Sequence, residues 1–417
     1  MARYPEIVTV HQHFERPQVR NIAATVRDEL SRISFDDQIR AGDRIAITAG
    51  SRGITNIQTI LRTAVDFCKE CGGVPWIVPS MGSHGGATAE GQQNVLAGLG
   101  LTEESLGCSI DSDMETVLLD TTEDGIPIYF DKRASESDHV LVCGRVKPHT
   151  GFAGVYQSGL MKMLLNGMGN HRGAQTYHRA AVSIPFDRIV ETACPMILEN
   201  APIRAGLAIV ENAYGETAGI HGVQCDDFQR RQQELLRESQ RLMAKLPLEQ
   251  IDILLIDEIG KSISGTGMDT NIVGRKLQDH APGPEETPAV RTIAIRGVRG
   301  GNGNGIGLAE FCTSRAVGQT DWEATRINGL TAMHVAATMI PVECPNDRDM
   351  LDRALQTIGL RKVEDAKLVW IKNTKELDTI VCSTACLAEL QNTPGVSPQS
   401  DCRPLRFDTE GNLPDDE

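Results

Sequence analysis

The sequence lacks the excess of basic residues with which proteins bind nucleic acids or anionic lipids through charge. Its 417 residues contain 41 Lys and Arg against 56 Asp and Glu, which gives a formal net charge of -15. Both kinds of anionic surface are attracted by Lys and Arg in excess. We therefore expect neither a nucleic acid nor a membrane as a partner, and any anionic substrate must be met by a local cation.

Long apolar runs are also missing. No stretch approaches the ~18 residues that a membrane span requires, and the N-terminal residues MARYPEIVTVHQHFERPQ contain no apolar core of a secretory leader. The 11 cysteines are odd in number and irregularly spaced, which indicates reduced thiols rather than a disulfide framework. Cys68 and Cys71 form a lone CxxC, and without a second pair they indicate two helix thiols rather than zinc ligands. We expect a cytoplasmic protein.

The chain does contain an alternation of short β-rich runs and helical patterns. RIAITAG (44–50), PWIVPSMG (75–82) and HVLVCGRV (139–146) are typical of buried strands, and each leads into a polar or glycine-rich turn. The first two turns are followed by helical patterns. Strands separated by helices favour a mainly parallel sheet, in which ligands bind beyond the carboxyl ends of the strands.

A chain of this length exceeds one ordinary hydrophobic core. A long charged helical pattern over 226–247 precedes a new strand, IDILLIDEIG, at 251–260. We predict two α/β domains with mainly parallel sheets and an active-site cleft between them, an N-terminal domain over 1–247 and a C-terminal domain over 248–401. The acidic tail, 402–417, is a candidate to pack on the first domain.

Three strand ends carry side chains suited to binding or acid–base chemistry. Arg52 in AGSRGITN precedes a helix start, where a guanidinium and unpaired N–H groups suit a phosphate or carboxylate, although a surface arginine fits equally well. His84 follows the second strand in SMGSHGG, and a histidine that caps a helix would also fit there. His149 follows the third strand. Their convergence on one edge of the sheet indicates a site more strongly than any one of them.

Lys162 lies in SGLMKMLLNG, where its neighbours offer little polar surface. An exposed lysine that extends its ammonium into water would explain the pattern. A partly buried lysine would instead have a lowered pKa and act as a nucleophilic amine for covalent attachment. His178 follows 16 residues later. That separation has no local helical meaning, so a shared site requires the chain between the two residues to fold back.

The pattern of SHGG, KPH, SGLMK, then glycines and YH resembles the lactate racemase family, the nickel-pincer-nucleotide enzymes that racemise or epimerise 2-hydroxy acids. The resemblance implies that Lys162 carries a pyridinium mononucleotide through a thioamide and that His178 supplies the remaining nickel ligand. It also implies that His84 and His149 exchange the proton of the substrate hydroxyl. We expect Arg52 to contact the cofactor, and enzymes that build this cofactor to be partners of the chain.

The chain departs from the family pattern around the expected substrate. Ala49 stands where the family has an acidic residue, and Val273 and Gly274 stand where it has tyrosine and glutamine. The loss of polar groups predicts a different or bulkier 2-hydroxy acid than lactate. Arg275 and Lys276, in the segment GTGMDTNIVGRK, are the residues expected to bind the substrate carboxylate.

The implied reaction has a chemical logic. Removal of hydride from the second carbon leaves a planar 2-keto acid that can be reduced again from its other face, and hydride transfer needs a cofactor. Two imidazoles near neutral pKa could take and return the hydroxyl proton. Nickel accepts sulfur and imidazole ligands in square-planar geometry, which suits a tridentate pincer plus one histidine.

Two other functions stay open. A nicotinamide-dependent oxidoreductase would also be α/β, and GVRGGNGNGIGLAEF (297–311) is glycine-rich after a strand, but the first strand-turn lacks GxGxxG. A non-catalytic protein that binds a small ligand would explain the glycine-rich turns and would need neither Lys162 nor His178. The sequence also leaves open whether copies of the chain associate as a homo-oligomer.

Overall fold

The computed structural model of the protein describes residues 4–415. The strands within them are β1 (Glu6–Gln12), β2 (Arg44–Ala49), β3 (Val74–Pro79), β4 (Thr116–Thr121), β5 (Pro127–Asp131), β6 (His139–Arg145), β7 (Ile203–Glu211), β8 (Thr217–Gln224), β9 (Gln250–Ile256), β10 (Ala289–Ile295), β11 (Phe311–Thr313), β12 (Val342–Cys344), β13 (Leu368–Ile371), β14 (Thr379–Ser383), β15 (Val396–Pro398) and β16 (Arg403–Pro404).

The α-helices of the same residues are α1 (Ile22–Arg32), α2 (Ile57–Glu70), α3 (Ala89–Gly98), α4 (Glu103–Leu106), α5 (Lys132–Ser135), α6 (Gly159–Lys162), α7 (Asn170–Ala180), α8 (Phe186–Asn200), α9 (Phe228–Leu242), α10 (Thr270–Val273), α11 (Ser314–Gln319), α12 (Trp322–Thr331), α13 (Asp347–Ala354) and α14 (Leu387–Leu390). Every helix of the described part is too short or too polar to reach across a lipid bilayer.

The chain forms two compact units. We call the unit of residues 15–149 and 153–243 the N-unit, and the unit of residues 4–14, 150–152 and 244–415 the C-unit. The N-unit thus ends close to the predicted domain boundary at residue 247. The sequence analysis placed the N-terminal residues in the first domain and made the tail a candidate to pack on it. In the structure both belong to the C-unit, because β1 pairs antiparallel with β14 and β15, and β16 of the tail pairs with β1.

The N-unit is built on a five-stranded sheet in the order β3-β2-β6-β7-β8. The first four strands are parallel, and β8 returns antiparallel to β7. In β2, Arg44 is exposed and the other five residues are buried, as expected for a strand whose two faces are both covered by helices or loops. A separate antiparallel hairpin consists of β4 and β5.

Helix α2 shows how the sequence produces this arrangement. Its buried side chains recur at helical spacing and face the core of the N-unit, among them Ile60, Ala64 and Cys68. The helix ends at the predicted glycines, where Gly72 adopts the left-handed φ of +87° that few other residues tolerate. Cys68 is buried and Cys71 is half-buried, in agreement with two helix thiols.

The C-unit contains a larger mixed sheet in the order β12-β11-β10-β9-β13-β14-β1-β15. The five strands from β12 to β13 are parallel, whereas β14, β1 and β15 are antiparallel to their neighbours. The predicted fold class, two α/β domains with mainly parallel sheets, is confirmed. The antiparallel part of this sheet was not predicted, because the partners of β1 are more than 360 residues away in the sequence.

A buried ion-pair network anchors the tail in the C-unit. The Arg296 side chain has no exposed surface, and its guanidinium pairs with Asp257 and with Asp347, the latter at 3.0 Å from Nε to Oδ2. Arg296 Nη2 donates to the carbonyl of Leu413 at 2.6 Å, and the Leu413 N–H donates to Asp347 at 2.9 Å. Trp370 Nε1 donates to Asp257 at 2.6 Å. One guanidinium therefore connects the ends of β9 and β10, the start of α13 and the tail.

We expect Arg296→Ala to lower the free energy of unfolding by about 3–5 kcal/mol, because it leaves two buried carboxylates without their counter-charge. Arg299→Ala is the matched control. Arg299 pairs with Glu258 at the surface, and such a pair contributes about 0–1 kcal/mol. Urea unfolding followed by circular dichroism measures both changes. Equal losses in the two variants would show that the buried network adds no stability of its own.

Candidate active site

Three parallel strand ends lie side by side in the N-unit. β2 pairs with β3 on one side and with β6 on the other. The segment after β2 carries Arg52, the segment after β3 carries His84, and the segment after β6 leads to His149. The three predicted positions therefore lie in segments that begin at the same edge of the sheet, where the strands end. The roles assigned to these residues stay predictions.

Helix α6 and the π-helical turn Met163–Gly167 cover this edge. The covering segment comes so close that a Cβ built on Gly50, just after β2, would lie 3.3 Å from the terminal methyl of Met163. A Cβ on Gly82, just after β3, would lie 2.9 Å from the carbonyl oxygen of Asn166, and the φ of Gly82 is +60°. Glycine is required at position 82, where the contact is with backbone and φ is positive, whereas the Met163 side chain could shift to accept a Cβ at position 50.

Lys162 ends helix α6 and is half-buried. Its neighbours Leu160, Met161 and Leu164 are fully buried in the N-unit. Desolvation and, as the smaller cause, the positive charge of Arg52 together lower the pKa of Lys162 to about 7. A large fraction of the amine is therefore unprotonated at neutral pH, which is the nucleophilic form.

His178 lies on α7, which follows the π-helical turn after a short break and packs against it. The chain folds back in this way between the two residues, as a shared site requires. Desolvation lowers the pKa of His178, and the charge of Lys162 also contributes, so the two side chains are near enough to interact electrostatically. The lowered pKa favours the neutral imidazole, which is the form that binds metals.

His84 is exposed and precedes a short 3-10 turn, Gly85–Ala87. The hydroxyl of Ser51 is hydrogen-bonded to Nδ1 of His84. Ser51 adjoins Arg52 in the sequence. The same turn, which follows β2, therefore supplies both a cation and a group that orients the imidazole of His84. Sequence reasoning missed Ser51, since a serine in a turn carries no sign of a partner on the next strand.

Arg145, the last residue of β6, holds the turn that carries Arg52. Its guanidinium pairs with Glu211 at the end of β7 and donates to the carbonyl of Gly53 at 3.2 Å, and Glu211 accepts from the N–H of Thr55 at 3.0 Å. Desolvation and then the charge of Arg145 lower the pKa of Arg52, although Arg52 keeps exposed surface. Arg145 was also missed. The available signal was a charged residue at the carboxyl end of an otherwise buried strand.

The loop that leads from β6 to α6 is fixed through its backbone. The N–H of His149 donates to Oε1 of Gln157 at 2.9 Å, and the N–H of Lys147 donates to Oγ of Ser158 at 2.7 Å. Each bond joins the start of the loop to its end. They therefore constrain the position from which the His149 imidazole projects.

The two predicted carboxylate-binding residues differ in their surroundings within the C-unit. Arg275 has no exposed side-chain surface, donates to the carbonyl of Val290 at 2.6 Å and pairs with Glu310 at 3.2 Å. This guanidinium is bound at the start of β10, whereas the sequence led us to expect it at the substrate carboxylate. Lys276 is half-buried and donates to Oδ1 of Asn271 at 2.9 Å. Desolvation lowers the pKa of Lys276 to about 8, so most of it is protonated at neutral pH.

The donor set near Lys162 can be compared with the cofactor that the family resemblance implies. Within residues 4–415, no group of three or more His, Cys, Asp or Glu could hold a metal ion. A single imidazole, His178, leaves most of the coordination of a metal to other ligands. The set of one reactive amine, one neutral imidazole and one guanidinium therefore fits a cofactor that brings its own metal ligands and a phosphate.

Comparisons with known proteins find one matching family and one similar structure. Residues 7–187 match the family model described as the lactate racemase N-terminal domain, a range that includes Arg52, His84, His149, Lys162 and His178. The structure is similar to that of the lactate racemase apoprotein from Thermoanaerobacterium thermosaccharolyticum, with 13% sequence identity, a TM-score of 0.56, and coverage of 87% of this chain and 94% of that chain. At this identity the similarity shows a shared fold. A comparison with curated proteins gives no match.

The lowered pKa of Lys162 predicts an unusual pH dependence of its labelling by a small amine-reactive reagent. The rate should reach half of its maximum near pH 7, because the neutral amine predominates above that pH. The pKa of Lys132 is raised by its hydrogen bond to Glu115. The pH at which the labelling rate of Lys132 is half-maximal should therefore be far higher. Peptide mass spectrometry of one labelling series measures both.

Arg52→Gln removes the like charge beside Lys162. The pH at which the labelling rate of Lys162 is half-maximal should therefore rise. A shared midpoint for Lys162 and Lys132 in the wild-type chain would contradict the desolvated environment.

Proposed function

Because residues 7–187 of this chain match the lactate racemase N-terminal domain, we propose that it is a racemase or epimerase that inverts the second carbon of a 2-hydroxy acid. The family domain supports racemase-type activity in general. The observation that supports the finer assignment is a half-buried lysine, Lys162, whose pKa is lowered to about 7 and which interacts with both Arg52 and His178.

These three residues would hold a pyridinium-type pincer mononucleotide with nickel. Lys162 would attach it covalently, because a desolvated and unprotonated amine is an activated nucleophile. Arg52 would bind its phosphate, and His178 would complete the nickel coordination through a neutral imidazole. When bound, this cofactor supplies reversible hydride acceptance, which interconverts the two configurations through a planar 2-keto acid.

His84 and His149 would exchange the proton of the substrate hydroxyl. The bond from Ser51 engages Nδ1 of His84, which directs its Nε2 toward proton transfer. His149 projects from the loop that Gln157 fixes. Two bases at separate positions could each serve one configuration of the second carbon, so that neither direction of the reaction lacks a proton acceptor.

The substrate would be a 2-hydroxy acid other than lactate. Val273 is buried, and a Cβ on Gly274 would lie 2.4 Å from the carbonyl oxygen of Pro288, so neither position offers the polar contact found in the family pattern. Lys276 retains the chemistry needed to bind a carboxylate, since its pKa of about 8 keeps it mostly charged at neutral pH. We assign the carboxylate contact to Lys276 and not to Arg275.

Intact-mass analysis of the chain produced together with cofactor-building enzymes tests the covalent attachment. The wild-type chain should gain a covalent mass increment and nickel, and Lys162→Ala should lose the increment and the activity because the nucleophile is gone. Lys147→Ala is the matched control from the same unit and should keep the increment. Circular dichroism reports whether each variant is folded.

His178→Ala should retain the increment and bind less nickel, because the attachment is intact while one metal ligand is lost. An increment that survives Lys162→Ala would exclude this lysine as the attachment point.

Steady-state kinetics of the loaded enzyme test the acid–base roles. His84→Asn and His149→Asn should each lower turnover by about 10²-fold or more, the usual contribution of a positioned proton-transfer group, with loading unchanged. His171→Asn replaces an exposed histidine of α7 and should keep full turnover. If His84→Asn or His149→Asn converts every accepted 2-hydroxy acid at the wild-type rate, that histidine takes no part in proton transfer.

A further inference from the structure

An unusual share of the exposed apolar surface lies in one short stretch of the C-unit, residues 327–342, which we call the apolar segment. Seven of the thirteen large apolar residues that are exposed within residues 4–415 belong to it, each with 50–63% of its surface accessible. They are Ile327, Leu330, Met333, Val335, Met339, Ile340 and Val342. Monomeric proteins rarely expose contiguous apolar patches of more than a few hundred Å².

The helix at the start of this segment has its apolar residues on the outside. In α12 the buried residues are Thr325 and Gly329, whereas Ile327 and Leu330 face solvent. A surface helix of a globular domain normally buries its large apolar side chains and exposes polar ones. The composition of α12 is therefore suited to a helix whose outer face is covered.

The apolar segment carries no charge that would define a complementary partner. Its sixteen residues contain no Asp, Glu, Lys or Arg, although the chain contains 41 basic and 56 acidic residues. His334 is its one titratable side chain, and it is paired with Asp279 at 2.7 Å. Two copies of a chain with a net charge of -15 repel each other, and this repulsion is weakest where neither copy presents charge.

The segment ends in β12, an edge strand of the large sheet. Among the described residues β12 pairs with β11 alone, and the N–H of Val342 donates to the carbonyl of Glu310 at 3.0 Å. Because backbone groups of successive residues point to opposite sides of a strand, the N–H and C=O of Glu343 point to the open side. An open edge is a template for pairing with another strand.

A cavity of about 510 Å³ opens beside the same edge. Phe311, Pro341 and Val342 line it on one side, and polar residues such as Arg291 and Glu310 also contribute to its lining. It offers a recess for a side chain from a surface that covers the segment.

We propose that the apolar segment and the open edge of β12 form an interface between two copies of this chain, related by a twofold axis. A second copy presents the same uncharged surface and the same open edge, and two identical edge strands can pair antiparallel about a twofold axis. A standard interface uses about 20–30 residues and ~800 Å² per partner, so the fourteen residues of the segment that are not buried would supply roughly 450 Å² per copy. Trp322 and Arg326, which precede the segment, would add a more polar rim. This inference does not depend on the proposed reaction.

Sedimentation equilibrium of the full chain at micromolar concentrations tests the interface. The wild-type chain should sediment at twice the 45.3 kDa of one copy. Leu330→Glu combined with Met339→Glu should raise the dissociation constant of the dimer by about 100-fold or more, because buried carboxylates would face each other. Leu360→Glu combined with Val182→Glu adds the same charge at exposed positions outside the segment and should leave the dimer intact.

A second variant, Glu343→Pro, removes the outward N–H of β12 and should also weaken the dimer, while the bond from Val342 to Glu310 is kept. Thermal melts show whether either variant is folded, and a variant that no longer dimerises should still unfold in one cooperative transition. A wild-type chain that sediments as a monomer overturns the proposal. A dimer whose dissociation constant is unchanged in the folded Leu330→Glu, Met339→Glu variant overturns it as well.

Discussion

An amine held among apolar side chains is the constraint around which the site of the N-unit is organised. Water cannot fully hydrate the ammonium of Lys162, and the nearby guanidinium of Arg52 repels it, so both effects favour loss of the proton. Desolvation is the larger effect. The same desolvation lowers the pKa of His178 and keeps its imidazole neutral. An environment that is costly for a charged lysine thus suits covalent attachment by the amine and metal binding by the histidine.

The parallel sheet makes this environment possible. Its strands end at one edge, and the turn after α6 can approach that edge closely because Gly82 presents no side chain. Arg145 and Glu211 join the ends of β6 and β7 and hold the turn after β2, while Ser51 in that turn reaches the segment after β3. The positions of the functional groups therefore depend on contacts between strand ends as well as on the strands themselves.

The C-unit has a buried apolar core, but a few of its charged and apolar groups are placed in the opposite way to those of a typical domain. The side chains of Arg275 and Arg296 have no exposed surface, and their guanidiniums pair with carboxylates inside the C-unit. Large apolar side chains of the segment 327–342 lie on the surface instead. The buried guanidiniums are tied to the packing of single strands, helices and the tail, whereas the exposed apolar surface has the character of an interface that a second chain completes.

Much of the fold and part of the site could be read from the sequence, because local patterns encode them. Runs of buried residues predicted β2, β3 and β6, the glycines after α2 marked its end, and the apolar neighbours of Lys162 indicated a desolvated amine. Each of these features depends on residues close together in the chain. The order of the strands in the sheet could not be read in this way, since each strand has several acceptable neighbours.

Tertiary structure alone decided the contacts between residues distant in sequence. Ser51 meets His84 because β2 and β3 are adjacent, and β1 joins the C-unit because its edge matches β14. Arg275 looks like a substrate-binding cation in the sequence, yet it pairs with Glu310 inside the C-unit. A local pattern states which side chains will be buried or exposed, but the partner of a buried charge is settled only when the whole chain has packed.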